Sequence, residues 1–382
     1  MKIAIIANGY PDKREPQWGC FEKDQALALQ QLGHQVSILY VDARFRTYWR
    51  KIGLTCIKDE GLSIYGVFLL PLKWLQIMSK KAQYWITTKF LDIVFCKYIK
   101  IEGMPDVIYA QFMYNMAYAV YLKKKYGIPL IGIEHWSEVN KDELKPLVRY
   151  WGTIAYDNVD KLIAVSDSLR LMIKKHFGKE SIVVHNMVGE LFVNNPIIRN
   201  KNTSKIIFIS VGSLFYVKGY DILIEAMAKI SDDLPNWELR LIGEGNEHTH
   251  LQKMIDDYDL SDKILLLGRK NKQEIVKCLS ESSIYISSSR SENFSVSVLE
   301  ALAVGLPVVA TICGGIRECI NEHNGLLVPV EDCNALASGL IKMAEDYEEY
   351  NSKEIAEECY RNFSPHVIAQ QLTDIFENVV KQ

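Results

Sequence analysis

The sequence predicts two consecutive α/β domains, each a parallel sheet with helices wound on both faces. Three observations carry that expectation. Short apolar runs of β-type composition alternate with stretches of helical period along most of the chain, as βαβ units require. A polar stretch from Asn194 to Ser204 has the composition of a linker, and the pattern restarts beyond it. The length of 382 residues, at roughly 100–200 per domain, accommodates two domains of similar size. The expected division is 1–190 for the first domain and 205–363 for the second, with a last helix over 364–382 packing back on the first.

In the first half the expected strands are Lys2–Asn8, Gln35–Val41, Val107–Ala110, Leu130–Glu134, Lys161–Val165 and Ile182–His185. The opening apolar run is too short for a signal peptide and reads as a buried strand entering a turn. Helices are expected over Phe21–Leu32, closed by Gly33, and Tyr114–Lys125, closed by Gly127 ahead of Pro129. Glycine just past a helix and proline shortly after are stop signals. In the second half the strands are Lys205–Val211, Glu238–Ile242, Ile264–Leu267, Ile284–Ser287, Pro307–Thr311 and Leu326–Val328, with final helices over 333–346 and 364–380. In sheets of this kind ligands bind at the carboxyl ends of the strands, so the crevice between the two domains is the expected active site.

Composition narrows the function. A formal net charge of −3 argues against a general nucleic-acid binder. The eight cysteines form no CxxC pair and are expected to be reduced thiols. The most apolar long region, Trp85 to Ile101, is broken by Lys89, Asp92 and Lys97 and falls short of the ~18 uninterrupted apolar residues of a spanning helix. A cytoplasmic chain is expected.

Charge is nonetheless uneven: about +7 over residues 1–190 against roughly −10 over the remainder. Much of the excess lies in Arg44-Phe45-Arg46-Thr47-Tyr48-Trp49-Arg50-Lys51 and between Lys73-Trp74 and Lys100, through Lys80, Lys81, Trp85, Lys89 and Lys97. Basic heads interleaved with aromatic rings suit an anionic membrane surface, here its inner face. They equally suit a solvated helix whose aromatics face the core.

Two runs carry chemistry. In Ser287 to Thr311 a strand enters a polar loop, a helix opens near Phe294 and stops at Gly305, and a buried strand follows. The free N–H groups around Phe294, Ser295 and Val296 offer an anion site. Glu292 sits just ahead of that helix and Glu300 lies within it, both good acceptors for sugar hydroxyls. The run Val211-Gly212-Ser213-Leu214-Phe215-Tyr216-Val217-Lys218-Gly219 is a strand, a glycine turn and a lysine at a helix start. A cation there opposes the helix dipole, which points to phosphate binding rather than structure.

Taken in order, Gly212…Lys218-Gly219, Glu292-x7-Glu300, Gly305-Leu306-Pro307-Val308-Val309 and Gly314-Gly315…Asn324-Gly325-Leu326-Leu327-Val328 resemble the family 4 glycosyltransferases. Gly33-His34-Gln35-Val36 and Glu134-His135-Trp136 extend the likeness into the first half. The resemblance implies a GT-B fold of two Rossmann-like domains and a retaining, nucleotide-sugar-dependent enzyme. It places Glu300 on the ribose, Lys218 on the diphosphate, Glu292 on the donor sugar and His135 by the transferred sugar. Gly19, in Trp18-Gly19-Cys20, belongs to the loop that approaches the donor from the first domain. It also implies a metal-independent reaction without cofactor, with a nucleoside diphosphate sugar (UDP-linked) as donor. The acceptor is expected to be a glycan, a lipid-linked surface-polysaccharide precursor.

Two departures stand out. The family often has Arg after the glycine matching Gly212, whereas this chain has Ser213, so Arg269 or Lys270 is expected to supply charge beside Lys218. Two glycines commonly flank the phenylalanine, here Asn293 and Ser295. Asp257-Tyr258-Asp259 spells a metal-binding DxD but falls where a helix ends, and His248-Thr249-His250 lacks an evident third ligand. No Walker lysine loop or GxGxxG argues for an ATPase or dehydrogenase. The alternatives are a GT-B sugar-nucleotide epimerase and a non-catalytic partner of another transferase.

Overall fold

The computed structural model describes residues 1–44, 50–69, 80–195, 205–234 and 236–381. Phe45–Trp49, Lys73-Trp74 and most of the expected linker (196–204) lie outside the described residues. The chain divides into two compact units, Met1–Val184 with Pro365–Gln382, and His185–Ser364.

The first unit runs β1 (Lys2–Ile6), α1 (Cys20–Gln31), β2 (Gln35–Asp42), β3 (Gly53–Asp59), β4 (Leu62–Phe68), α2 (Lys80–Glu102), β5 (Val107–Gln111), α3 (Phe112–Tyr126), β6 (Leu130–Glu134), α4 (Pro146–Tyr156), β7 (Lys161–Ala164), α5 (Asp167–Phe177) and β8 (Ile182–Val183). Among the described residues its sheet has the order β3-β4-β2-β1-β5-β6-β7-β8. Central strands such as Ile3–Ile6 and Val107–Gln111 are buried throughout, as a parallel sheet covered on both faces demands. The sheet is not wholly parallel. β3 and β4 form an antiparallel hairpin at the edge, turned by Glu60 (φ 49°) and Gly61 (φ 82°). Positive φ at both turn residues matches the twist of the flanking strands.

The second unit runs α6 (Glu190–Val193), β9 (Ile206–Val211), α7 (Tyr220–Lys229), β10 (Trp237–Ile242), α8 (His248–Asp257), β11 (Ile264–Leu266), α9 (Lys272–Ser280), β12 (Ile284–Ser287), α10 (Val296–Ala303), β13 (Val308–Thr311), β14 (Gly325–Val328), α11 (Cys333–Asp346) and α12 (Ser352–Phe363). Its sheet, β11-β10-β9-β12-β13-β14, is parallel at every pairing. Phe208, Leu239, Ile284 and Val309 on the strands meet Leu223 and Met227 on α7 and Leu336 and Leu340 on α11 in one core.

The division falls after Val184, several residues before 190. The Val188 N–H donates to Phe363 O at 3.0 Å, the Asn186 amide donates to Phe294 O at 3.0 Å, and Phe192 is fully buried. These bonds tie residues 185–193 to the second unit. The last helix, α13 (Pro365–Val380), packs on α1 in the first unit. Its Phe376 ring lies 5.0 Å from that of Tyr109, and Thr373 Oγ1 is 2.9 Å from His34 Nε2.

Candidate functional site

In the second unit the loops that follow β9 and β12 are sewn together at the carboxyl edge of the sheet. After β9 the chain turns at Gly212, makes one 3-10 turn over Tyr216–Lys218 and enters α7 through Gly219. Gly219 has φ 65°, and a Cβ there would lie 2.1 Å from Ser288 O, so only glycine admits this approach. The Ser288 hydroxyl donates to Lys218 O at 2.9 Å, and the Arg290 N–H donates to Val217 O at 2.8 Å. The Arg290 guanidinium forks onto Asp221 (2.8 and 2.7 Å), donates to Tyr216 O at 2.6 Å and stacks on the Tyr216 ring at 3.8 Å. A bidentate fork of this kind fixes geometry as well as adding energy.

That seam brings Lys218 onto Glu292. The ammonium and Glu292 Oε1 form a close ion pair, and the Ser289 hydroxyl donates to the same oxygen at 2.9 Å. Lys218, Glu292, Tyr220, Tyr285 and Ser297 help line a cavity of about 10 Å³, on the order of one water. Burial opposes the Lys218 charge, but the Glu292 carboxylate outweighs it and holds the lysine pKa above its ordinary value. Burial and the Glu292 charge push the Cys313 thiol up to about 11, so it stays protonated at neutral pH.

The other expected residues fall around this pair. A Cβ on Gly212 would lie 2.9 Å from the Tyr220 hydroxyl and 3.4 Å from Lys218 Cε, so the glycine leaves room for both. Ser213 is exposed, and Asn293 is buried, its carbonyl accepting the Gly315 N–H at 2.9 Å. The helix opens later than expected, at Val296 with Ser295 as its cap. Phe294 belongs to the loop because its ring stacks on His185 at 4.5 Å and its carbonyl accepts from Asn186. The first free amides of α10 are therefore those from Val296 onward. Glu300 is the fifth residue of α10, and its charge bears on Tyr285.

Arg269 does not join the cavity. It pairs with Glu244 at 3.5 Å, and Lys270 approaches Glu274 at 3.8 Å, on the β10–β11 side. Asp257 ends α8 and Asp259 turns out of it with φ 57°, while His248 and His250 lie in its first turn. Among the described residues no three His, Cys, Asp or Glu side chains converge as metal ligands would.

In the first unit His135 stands just past β6, with Nε2 2.9 Å from Gln111 Oε1 and its ring 5.0 Å from that of Phe112. Gly19 caps α1 with φ 80°, and a Cβ there would lie 2.5 Å from Gly9 O, so the glycine lets the loop after β1 fold onto itself. Trp18 Nε1 donates to Asn8 O at 3.1 Å beneath the Arg44 guanidinium. Arg290, Asp221, Gln111 and Glu134 carry geometry that the sequence reading did not assign. Arg290 stood two residues before Glu292, a spacing too common to single out.

The descriptions "Glycosyltransferase Family 4" and "Glycosyl transferases group 1" match residues 23–189 and 194–358. An uncharacterized glycosyltransferase of Methanocaldococcus jannaschii is 30% identical over 65% of this chain and 68% of its own length. The amylovoran biosynthesis glycosyltransferase AmsK of Erwinia amylovora is 33% identical over 45% of this chain and 44% of its own. Anabaena HepE, solved in complex with UDP and glucose, superposes with a TM-score of 0.75 at 17% identity, covering 99% of this chain and 100% of that one. Two α/β units with this order of motifs, matched over residues 23–189 and 194–358, make the chain a member of the family 4 glycosyltransferases with the GT-B fold.

Proposed function

We propose that this transferase moves a hexose-type sugar from a UDP-linked donor to a glycan acceptor, with retention of anomeric configuration and without a metal ion. The observation that carries the reading is the Lys218–Glu292 pair, held at the carboxyl edge of the second sheet beside the start of α10. In this reading Lys218 and the first amides of α10 receive the charge of the departing diphosphate. Glu292 holds the donor sugar and the positive charge that develops on its ring, and Glu300 accepts the ribose hydroxyls. Gly212, Ser213, Asn293, Phe294, Ser295 and Val296 shape the phosphate-binding walls, and Arg269, paired with Glu244 outside the cavity, adds positive charge only at longer range. His135 serves the transferred sugar, and Gly19 lets its loop approach the donor.

The acceptor is proposed as a lipid-linked precursor of a surface polysaccharide at the inner face of the membrane. Support comes from α2, where Lys81, Trp85, Lys89, Ile93, Lys97 and Ile101 recur every fourth residue and are all exposed. Such a stripe can seat rings among lipid tails while its ammonium groups meet anionic headgroups. No helix among the described residues is long and apolar enough to cross a membrane. AmsK, by its name, acts in amylovoran biosynthesis.

A thermal-shift panel of nucleotide sugars tests the donor, because a ligand that binds only the folded chain raises its midpoint. Lys218→Ala should lower turnover of the bound donor by about 10²–10³-fold, the usual cost of one charge-stabilising group. Near-normal rates in both Lys218→Ala and Glu300→Ala would sink the site assignment, and an inverted product would sink retention. Cosedimentation with phosphatidylserine vesicles should weaken in Lys81→Glu/Lys89→Glu and in high salt.

A further inference from the structure

The carboxyl end of β6 holds a buried acid that the proposed transfer leaves without a role. Glu134 has no exposed surface. Its Oε1 accepts the backbone N–H groups of His135 at 3.0 Å and Trp136 at 2.8 Å, and its Oε2 accepts the Tyr156 hydroxyl from α4 at 2.7 Å. The strand ends at Glu134, so the carboxylate satisfies amides that lie beyond the ladder.

Further contacts converge on the imidazole those amides precede. Gln111 donates its amide to Gln25 Oε1 at 2.7 Å, an oxygen that also accepts the Tyr109 hydroxyl at 3.1 Å. That bond turns Gln111 Oε1 toward His135 Nε2. Phe112, whose ring faces His135, has φ 66°, a left-handed conformation that a side chain with a Cβ rarely adopts. Strain is retained where the surroundings over-determine it, and here it presents a ring to His135.

We propose that Glu134 is a positioning residue for His135: its carboxylate clamps the His135–Trp136 backbone so that the imidazole keeps one orientation, and protonation loosens the clamp. The inference rests on the reading that His135 serves the transfer. An ionised carboxylate only accepts hydrogen bonds and suits the donors around it. A protonated one brings an O–H whose acceptor among these groups is the Tyr156 oxygen, so the bond that Tyr156 donates to the carboxylate is lost or reversed. Burial pushes the Glu134 acid up to about 7, while Tyr156 and the Trp136, His135 and Met113 amides pull it down. The titratable groups facing it are Tyr156 on α4, Tyr114 on α3 and His135. Burial and nearby carboxylate charge hold both tyrosines above their ordinary values, so they stay neutral where Glu134 changes charge.

Two measurements on the full chain test this. In tryptophan-15N-labelled protein the Trp136 backbone amide, assigned with Trp136→Phe, should move with pH around a midpoint near 7 and stay fixed in Glu134→Gln. With the donor found in the thermal-shift panel, Glu134→Gln should lower kcat about tenfold, as a small misplacement of a reacting group does. Donor KM and calorimetric UDP affinity should stay within about twofold, and the wild-type fall in kcat on the acid side should vanish. Tyr156→Phe removes a bond to the carboxylate and should move that fall to higher pH. A merely structural role would lower stability without touching the pH profile. An unmoved Trp136 amide in the wild type, or a wild-type profile in Glu134→Gln beside an inactive His135→Ala, overturns the proposal and leaves the proposed function standing. A fully active His135→Ala overturns the reading on which it rests. Should Glu134→Gln fail to fold, an unshifted profile in Tyr156→Phe is the overturning result.

Discussion

At the scale of single residues, two acids answer to opposite environments, Glu292 partly exposed and Glu134 fully buried. Glu292 meets an ammonium and a hydroxyl, so its partner Lys218 is already occupied when no anion is bound. A diphosphate must then compete with Glu292 for Lys218. Glu292→Gln should therefore bind UDP about tenfold tighter than the wild type (~1.4 kcal/mol) while turning over donor more slowly. Calorimetry and initial rates check the two halves, and weaker UDP binding would show that Glu292 does not compete. Glu134 meets burial first, and its pKa of about 7 lies above the ordinary carboxylate value of 4.5. Between those values the folded chain keeps a proton that the unfolded chain has lost. The stability contributed by this group is thus fully present below the ordinary value and is lost as pH rises through about 7. The unfolding free energy of the wild type relative to Glu134→Gln should fall by up to about 3 kcal/mol between roughly pH 5 and pH 8. Denaturant titrations at each pH measure it, and a constant difference would contradict a buried titrating acid.

Elements decide which parts of this geometry could be read beforehand. The parallel strands were legible because both faces are covered, leaving continuous apolar runs such as Ile3–Ile6. β3 was not, since Leu54 and Ile57 are about half exposed and the strand has no continuous core face. The start of α10 was misplaced because an apolar Phe294 reads as a helix-face residue, while its ring is held by His185, far away in sequence. Lys218 and Glu292, 74 residues apart, were legible as a pair only through the resemblance. The Arg290 fork onto Asp221, 69 residues away, leaves no local pattern at all. That seam between the β9 and β12 loops makes its own prediction. Gly219→Ala places a Cβ 2.1 Å from Ser288 O at positive φ, so the loops must part. The cost should be at least about 2 kcal/mol in a denaturation midpoint, from strain and lost seam bonds together. UDP affinity should fall with it, and an unchanged affinity would mean that Lys218 is placed without the seam.

The whole molecule is assembled out of chain order, because its last helix belongs to the first unit. α13 buries Ile368, Leu372 and Phe376, and Phe376 has no exposed surface. The Phe376 ring meets Tyr109, whose hydroxyl donates to Gln25, and Gln25 in turn orients Gln111 beneath His135. The final turns of the chain therefore support the residues around His135, while the Lys218–Glu292 pair lies wholly within residues 185–364. Truncating a buried phenylalanine to alanine removes its transfer energy and leaves a cavity, together about 3–5 kcal/mol. Phe376→Ala should accordingly lower the unfolding midpoint of the first unit and reduce turnover. UDP binding under native conditions should remain within about twofold of the wild type. Unfolding followed by Trp151 fluorescence in a variant lacking the other tryptophans would report on the first unit, and UDP calorimetry on the second. Loss of UDP binding in step with the midpoint would show that the two units do not hold their structure independently.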